Sequence, residues 1–248
     1  MRSKLTFFLL AFLLCHLVNA QKDVRESVRF AIPPVIDGAV DEWKTEWLMD
    51  LKSKFLYNVG NDNDNLYIRL KISDETAQQK IALFGLTIYF NPEGGKKGRL
   101  GLHYPMAKDP EQMKKEQPKE GGPEKKWIDM KRDLIRDADL LELIGLAKEK
   151  ILSNRVGLMN GLEVIMIVDS YGDLVYEAKI PFKAYRIDKS KVENLGIVVE
   201  TGRLIIKQSM STTPATYYRG QRYSSPMSRQ PYNEFTVSTI VRLSFKLN

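Results

Sequence analysis

Three carboxylates near the start of the chain, Asp37, Asp41 and Glu42, lie close together beside Gly38. Carboxylates at such spacing can share one Ca²⁺, a cation that takes roughly six to eight oxygen ligands. The same residues suit a turn followed by a short helix, in which an aspartate caps the helix and Trp43 anchors the core. The pattern favours the capped turn. A structural calcium site at Asp37, Asp41 and Glu42 is the competing hypothesis, and we expect that no cofactor is required.

Tryptophan side chains are the next candidates, because their flat rings can stack on the CH faces of a sugar. Trp43 is expected in the core, where tryptophan is most often found. Trp47, which follows Glu46, and Trp127, which follows a charged stretch, are predicted as ligand-binding platforms. Burial in the core is the alternative for both residues.

A basic, tyrosine-rich segment covers residues 201–233 and contains no Asp or Glu. Tyrosine and arginine are favoured at protein interfaces, and arginine also suits the acidic groups of some glycans. Interleaved aromatic and basic side chains can bind single-stranded nucleic acid, but the N-terminus described below argues against that partner. A long polar loop is the alternative. The ligand-binding residues predicted in this segment are Tyr217, Tyr218, Arg219, Arg222 and Tyr223.

Residues 1–20 have the pattern of a secretory signal peptide. Arg2 and Lys4 precede a mostly apolar stretch at 5–17, and Ala20 ends a cleavage site of small residues. The apolar stretch is too short for a membrane anchor, so cleavage is the preferred interpretation. We therefore expect a secreted or periplasmic protein with no membrane span after cleavage.

Cleavage after residue 20 would leave few options for catalysis. Both Cys15 and His16 lie within the predicted signal peptide, so His103 would be the single remaining histidine and no cysteine would remain. Thiolate and multi-histidine metal sites are then excluded, and no spacing supports haem ligation by His103 and a methionine. No two carboxylates stand out as an acid and base for glycosidic chemistry. We expect a protein that is not an enzyme.

The distribution of charge narrows the choice of partner. The chain has 248 residues and a formal net charge of +7 at pH 7. Residues 1–20 carry two of these charges and 201–233 carry five, whereas 21–200 net −1 and 234–248 net +1. The basic character therefore belongs to one segment on a near-neutral remainder, and nucleic acid is not the expected partner.

Hydrophobic periodicity predicts the elements that must position these residues. Alternation with a period of two predicts strands, and a polar turn at 170–173 joins two of them into a hairpin. Near-helical spacing of apolar residues predicts one amphipathic helix over 133–151. The predicted strands are 66–73, 81–90, 162–168, 174–180, 194–200, 203–207 and 235–247.

The stretch at 107–126 offers almost nothing apolar to bury, so it is predicted as a charged, solvated loop insertion. The remaining pattern predicts an all-β fold, an antiparallel, jelly-roll-like β-sandwich with one peripheral helix. It forms a single domain over residues 21–248 in this interpretation.

Three short motifs carry a family resemblance. The first reads Ile-Asp-Gly from Ile36 and Asp-Glu-Trp from Asp41. The second is a polar turn that leads into the strand at 66–72, followed by Ser-Asp, and the third reads Tyr-Glu-Ala-Lys-Ile-Pro from Tyr176. In this order they resemble the family 9 carbohydrate-binding modules and the wider DOMON-like sandwich domains, over most of 28–200. The resemblance implies a secreted β-sandwich whose sugar site uses aromatic faces, hydrogen-bonding side chains and structural calcium.

These features predict an exported, non-catalytic carbohydrate-binding protein that recognises a glycan through aromatic platforms. The alternative is a structural or protein-interaction module of the cell envelope that uses the segment at 201–233. The expected partner is accordingly a carbohydrate or an envelope protein.

Overall fold

The computed structural model describes residues 24–39, 41–92, 100–107, 126–145, 151–205 and 233–248, and the backbone of 217–218 and 221–222. The predicted signal peptide and nearly all of the charged insertion at 107–126 lie outside the described residues. Strands and helices are numbered in chain order, and they form two sheets, one short hairpin and three helices in the part of the chain that the structure describes.

The larger sheet has seven strands, and its neighbouring pairs are antiparallel except for the first two. In β6, Leu86, Ile88 and Phe90 are buried, whereas Thr87 and Tyr89 are half exposed, as the two-residue period of a strand requires. The strand order is β1 (Arg25–Glu26), β15 (Ile240–Lys246), β12 (Leu195–Thr201), β6 (Gly85–Asn91), β7 (Leu100–Met106), β8 (Leu140–Ile144) and β9 (Ile151–Ser153).

The smaller sheet has six strands, of which the short β2 and β3 both pair with the same side of the sheet at β4. Its main path is β10 (Glu163–Val168), β11 (Leu174–Pro181), β5 (Asn65–Ile72), β4 (Leu56–Asn61) and β2 (Val28–Arg29), with β3 (Leu48–Met49) beside β4. The predicted hairpin is confirmed, since β10 and β11 pair antiparallel across a turn in which Asp169 N–H donates to the carbonyl of Asp173.

The main apolar core lies between the two sheets. Leu66, Ile68, Leu70 and Ile72 of β5 enter it from the smaller sheet, and Leu86 and its alternate neighbours enter it from the larger one. Tyr57 of β4 meets Phe245 of β15 edge to face, with ring centroids 6.4 Å apart. This arrangement confirms the predicted all-β sandwich.

The smaller sheet is buried on both faces at its centre, whereas the sequence predicted that the strand at 66–73 is buried on one face only. Tyr67 and Arg69 point away from the main core, yet both are almost fully buried. An N-terminal arm, residues 30–39 and 41–47, covers them and forms a second cluster of Phe30, Trp43 and Tyr67. The outer face of β5 is therefore a packed interface instead of a solvated surface.

The helices differ from the prediction. The described chain has α1 (Glu75–Phe84), α2 (Trp127–Arg136) and α3 (Asn154–Met159) instead of one helix over 133–151. The apolar residues after Arg136 continue as β8, because Leu141 and Leu143 fit the inner face of the larger sheet beside Leu102. The strand predicted from residue 81 begins only at Gly85, whose φ of +88° ends α1.

Two strand predictions near the C-terminus also need correction. Residues 203–205 form no strand, because β12 already has β6 and β15 as its two neighbours. Residues 206 and 207 of the predicted strand lie outside the described residues. The closing strand is shorter than 235–247, since a 3₁₀ turn occupies Glu234–Thr236 before β15. Among the described residues, no helix is both long enough and apolar enough to cross a membrane.

Candidate functional site

The Ile-Asp-Gly motif forms a turn on the outer face of the smaller sheet. Asp37 Oδ1 accepts from Ala39 N–H at 2.7 Å, and Gly38 N–H donates to Glu177 Oε2 at 2.9 Å. Gly38 has a φ of +84°, and a Cβ at this position would lie 2.6 Å from Cδ1 of Ile167. Glycine is thus required both by the left-handed conformation and by the close approach to β10.

The Asp-Glu-Trp motif forms a 3₁₀ turn, Asp41–Trp43, that carries one aromatic side chain into the second cluster. Trp43 is 1% exposed and meets Phe30 edge to face at a centroid distance of 4.9 Å. Phe30 in turn meets Tyr67 at 5.4 Å. Trp43 therefore anchors the arm, as the sequence predicted for a core tryptophan.

Arg69 lies between two tryptophans. Its guanidinium carbon is 4.8 Å from the Trp43 ring centroid and 4.0 Å from that of Trp47. Arg69 Nε donates to Asn58 Oδ1 at 2.9 Å, and Nη2 donates to the Thr45 carbonyl at 2.8 Å. Burial lowers the pKa of Arg69 to about 10, while the nearby Glu177 carboxylate favours its charged form. The guanidinium stays charged at neutral pH and joins the arm to β4 and β5.

Glu177 is the anionic partner of the buried Arg69 and lies directly opposite it in the sheet register. Burial raises its pKa from 4.5 to about 7, against the backbone donors of Gly38 and Asp37 that favour the charged form. Trp43 also lies near enough to favour the charged form of Glu177. Neither Trp43 Nε1 nor Glu177 Oε1 completes a hydrogen bond of ordinary geometry. Glu177 therefore titrates near neutrality in the folded protein.

The proposed calcium ligands do not converge on one point. Asp37, Asp41 and Glu42 are all exposed, with Asp37 in the turn over Glu177 and the other two in the 3₁₀ turn. Among the described residues, no group of three or more His, Cys, Asp or Glu side chains is placed to hold a metal ion. The calcium site stays a prediction.

The two predicted platform tryptophans belong to different parts of the fold. Trp47 is half-buried beside Arg69 on the outer face of the smaller sheet. Trp127 is the first residue of α2, is half-buried against the main core, and has its Nε1 buried without a hydrogen-bond partner. They do not form two walls of one site, and each remains a separate prediction.

The tyrosine-rich segment contains a small hairpin, β13 (Tyr217–Tyr218) paired antiparallel with β14 (Gln221–Arg222). Only the backbone of these four residues is described. The predicted contacts of Arg219 and Tyr223 lie outside the described residues.

Two lysines form ion pairs with carboxylates of β10 and of the turn after it, to which the sequence assigned no function. Lys71 Nζ lies 2.8 Å from Asp169 Oδ2 and 3.3 Å from Asp173 Oδ2, across the β10–β11 turn. Lys179 Nζ lies 2.7 Å from Glu163 Oε1. The Lys179–Glu163 pair is a cross-strand ion pair between β11 and β10, and Lys71 of β5 pairs with the two aspartates of the turn.

A cleft of about 350 Å³ opens at the edge of the sandwich, where the two sheets are not closed by a further strand. We call it the edge cleft. Its residues come from β1, β3, the turn after β3, β4 and β15, and they include Arg25, Met49, Asp50, Tyr57, Arg242 and Phe245. Sequence reasoning missed this site, because its two halves are nearly two hundred residues apart and no local spacing marks them.

The turn after β3 forms one wall of the edge cleft and is fixed by its own hydrogen bonds. Asp50 N–H donates to the Phe55 carbonyl at 2.9 Å, and Lys54 N–H donates to the Asp50 carbonyl at 2.7 Å. Asp50 Oδ2 accepts from both N–H and Oγ of Ser53, at 2.8 and 2.7 Å. The wall is therefore formed before any ligand arrives, which lowers the entropy cost of binding.

Comparison with known proteins leaves the family open. No protein-family model and no curated protein matches the chain. Among solved structures, the fold is similar to a family 9 carbohydrate-binding module from Caldicellulosiruptor kristjanssonii in complex with cellotriose, with 14% identity, a TM-score of 0.33, and coverage of 71% of this chain and 75% of that one. The same module in complex with glucose gives 12% identity, a TM-score of 0.32, and coverage of 72% and 76%.

Proposed function

We propose that the chain is an exported, non-catalytic carbohydrate-binding protein, and that the edge cleft is its sugar site. The observation that carries the proposal is the edge cleft itself, a preformed concave site of about 350 Å³. This volume is at the lower end of the range of small-molecule sites, about 300 to 1,000 Å³. It suits one or two sugar units of a longer glycan better than a large cofactor.

The lining of the edge cleft combines the two surfaces that a sugar needs. Met49 and Leu51 on the rim are 48% and 82% exposed, and the core residues Tyr57 and Phe245 lie buried beneath the cleft. The exposed side chains of Lys52 and Arg242 stand beside Met49 and Leu51 as hydrogen-bond donors. Apolar contacts can take the CH faces of the ring while these charged groups take its hydroxyls.

Aromatic platforms are the finer part of the proposal. Trp47 precedes the strand that carries Met49 and retains part of its surface in solvent, as does Trp127 on the other side of the smaller sheet. Trp47 does not line the edge cleft, so a glycan would have to extend beyond the cleft to reach it, whereas Trp127 would require a second, independent site.

Binding of an oligosaccharide panel by isothermal titration calorimetry tests the proposal. We expect Leu51→Ala and Trp47→Ala to weaken binding of the same sugar, and Leu158→Ala, an exposed leucine on α3, to leave it unchanged. If no sugar binds, or if Leu158→Ala weakens binding as much as Leu51→Ala, the edge cleft is not a sugar site.

Export is the second part of the proposal, and the signal-peptide pattern of residues 1–20 supports it. We expect the mature protein to begin at Gln21 and to be recovered from the periplasm or the medium. N-terminal sequencing of the recovered protein tests this, and an intact Met1 in the cytoplasmic fraction would contradict it.

The envelope-module alternative is favoured by one observation at the base of the 201–233 segment. Leu204, Ile205 and Val237 are exposed apolar residues on the two stretches that border it, and Leu204 N–H donates to the Phe235 carbonyl at 2.7 Å. The two stretches are therefore held side by side and present exposed apolar side chains together, as protein-interaction surfaces do. Affinity capture from envelope extracts should yield a partner that Ile205→Ser loses and Leu51→Ala retains.

A further inference from the structure

We propose that the glycan site extends beyond the edge cleft along the outer face of the smaller sheet, and that the Tyr171 ring is its outer aromatic platform. This inference rests on the proposed function and deepens it, because it makes a longer glycan the preferred ligand. It comes from an aromatic residue to which the sequence assigned only a place in a turn.

Tyr171 lies in the turn between β10 and β11 and is 87% exposed. It is the most exposed of the large hydrophobic side chains in the part of the chain that the structure describes. Lys71 Nζ lies over one face of the ring, 5.4 Å from its centroid. Because so much of the side chain is exposed, the opposite face is open to solvent. A flat aromatic face of this kind is the surface on which the CH groups of a sugar stack.

The turn that carries Tyr171 is fixed by its own hydrogen bonds. Asp169 Oδ1 accepts from the N–H groups of Tyr171 and Asp173, both at 2.9 Å, and Asp169 N–H donates to the Asp173 carbonyl at 2.9 Å. Gly172 N–H donates to the Asp169 carbonyl at 3.1 Å. The backbone of Tyr171 is therefore held in place before a ligand arrives, which lowers the entropy cost of binding.

Two lysines attach the same turn to the rest of the fold. Lys71 of β5 pairs with both aspartates of the turn, at 2.8 and 3.3 Å, and Lys131 Nζ of α2 donates to the Gly172 carbonyl. The carboxylates of the turn thus have cationic partners within the protein. What the turn presents to a ligand is therefore the open face of the Tyr171 ring, and not an unpaired charge.

The sheet register connects the edge cleft to the Tyr171 turn. Met49 of the cleft lies opposite Leu56, and Leu56 lies opposite Lys71. All three alternate with residues of the main core or packed against it, so their side chains lie on the outer face of the sheet. None of them is buried, and two strand spacings separate Met49 from Lys71 by about 10 Å. A glycan that fills the edge cleft can cross this row and stack on Tyr171.

Calorimetry with glycans of two lengths tests the inference. The probes are cellobiose and cellohexaose, with xylobiose and xylohexaose as a second pair. We expect the six-unit member of a pair to bind roughly three- to tenfold more tightly than the two-unit member, because only the longer glycan reaches both the cleft and the ring. Tyr171→Ala should remove this difference and leave the two-unit affinity unchanged, whereas Leu51→Ala should weaken both lengths.

Two further variants assign the effect to the ring. Tyr171→Phe keeps the aromatic face and should retain the advantage of the longer glycan. Met159→Ala, which changes another highly exposed side chain, on α3, should alter neither affinity. Melting curves of each variant establish that the fold is intact.

The outcomes separate this inference from the proposed function. If both lengths bind equally, or if Tyr171→Ala weakens both alike, the Tyr171 turn is not an outer subsite and the inference is wrong, while the proposed function stands. If the longer glycan keeps its advantage in Tyr171→Ala, its extra contact lies elsewhere and the inference is also wrong. If no glycan binds at all, the proposed function fails and this inference fails with it.

Discussion

Gly38 N–H donates a 2.9 Å hydrogen bond to Oε2 of Glu177, although the two residues are 139 positions apart in the chain. This bond holds the N-terminal arm across the outer face of the smaller sheet, next to the stack of Trp43 on Arg69. The motifs that carry the family resemblance therefore meet at one place. Their role in this chain is to attach the arm, which makes them markers of the fold more than of a ligand.

Glu177→Gln should change how stability depends on pH. Burial raises the folded pKa of Glu177 from 4.5 to about 7, so the folded protein holds this proton more tightly than the unfolded chain. Its contribution to stability is complete below pH 4.5 and is lost as the pH rises to about 7. The loss is on the order of 1 to 3 kcal/mol.

A glutamine keeps an acceptor for Gly38 N–H but does not titrate. Urea denaturation at several pH values between 4.5 and 7.5 should therefore show the variant gaining stability relative to the natural protein as the pH rises. An unchanged difference between the two proteins across this range would mean that Glu177 titrates at its ordinary pKa.

Gly38→Ala should destabilise the arm by about 1 to 3 kcal/mol, through the positive φ and the contact with Ile167. Gly161→Ala is the matched control, because Gly161 also has a positive φ of +77° but its nearest neighbour would be 3.5 Å away. The difference between the two variants in thermal denaturation measures the crowding alone. Equal losses would show that the arm moves aside without cost.

Arg69→Lys should cost about 2 to 4 kcal/mol, even though it keeps the charge. An ammonium cannot bond Asn58 and Thr45 together while lying flat against Trp43 and Trp47. The change should also alter tryptophan fluorescence, because both rings lose the planar guanidinium that lies against them. Arg155→Lys, on the exposed surface of α3, provides the control, and a loss below about 0.5 kcal/mol at Arg69 would contradict the stacked arrangement.

Strand periodicity in the sequence was enough to predict the sandwich, because a period of two is a local signal. The burial of Arg69 and Glu177 was not predictable in this way. Each stands at a polar position of an alternating strand, where a charge normally indicates solvent. The arm that covers them comes from elsewhere in the chain, so the burial is a tertiary effect.

The helix boundaries and the edge cleft were missed by sequence-based prediction for two different reasons. Gly85 carried a signal that the strand predicted over 81–90 did not use, because glycine commonly ends a helix and Gly85 is where α1 ends. The cleft carried no such signal. Met49 and Arg242 acquire a shared role only when β3 and β15 meet at the open edge of the two sheets.

His103 should give a pH dependence opposite in sign to that of Glu177. Burial lowers its pKa below 6.5, although Glu142 Oε2 lies 3.5 Å from Nδ1 and favours the charged form. The folded protein then binds this proton less tightly than the unfolded chain, so stability is lost as the pH falls below 6.5.

The two effects oppose each other in the natural protein and are separable in a Glu177→Gln background. There, stability should fall as the pH drops from 6.5 to about 5, and adding His103→Gln should remove most of that fall. Glu142→Gln in the same background should make the fall steeper, because it removes the group that favours protonated His103. The aspartates whose pKa is lowered, such as Asp62 and Asp169, act at lower pH and do not obscure this range. Identical slopes with and without His103 would show that its imidazole protonates equally well in the folded and unfolded chains.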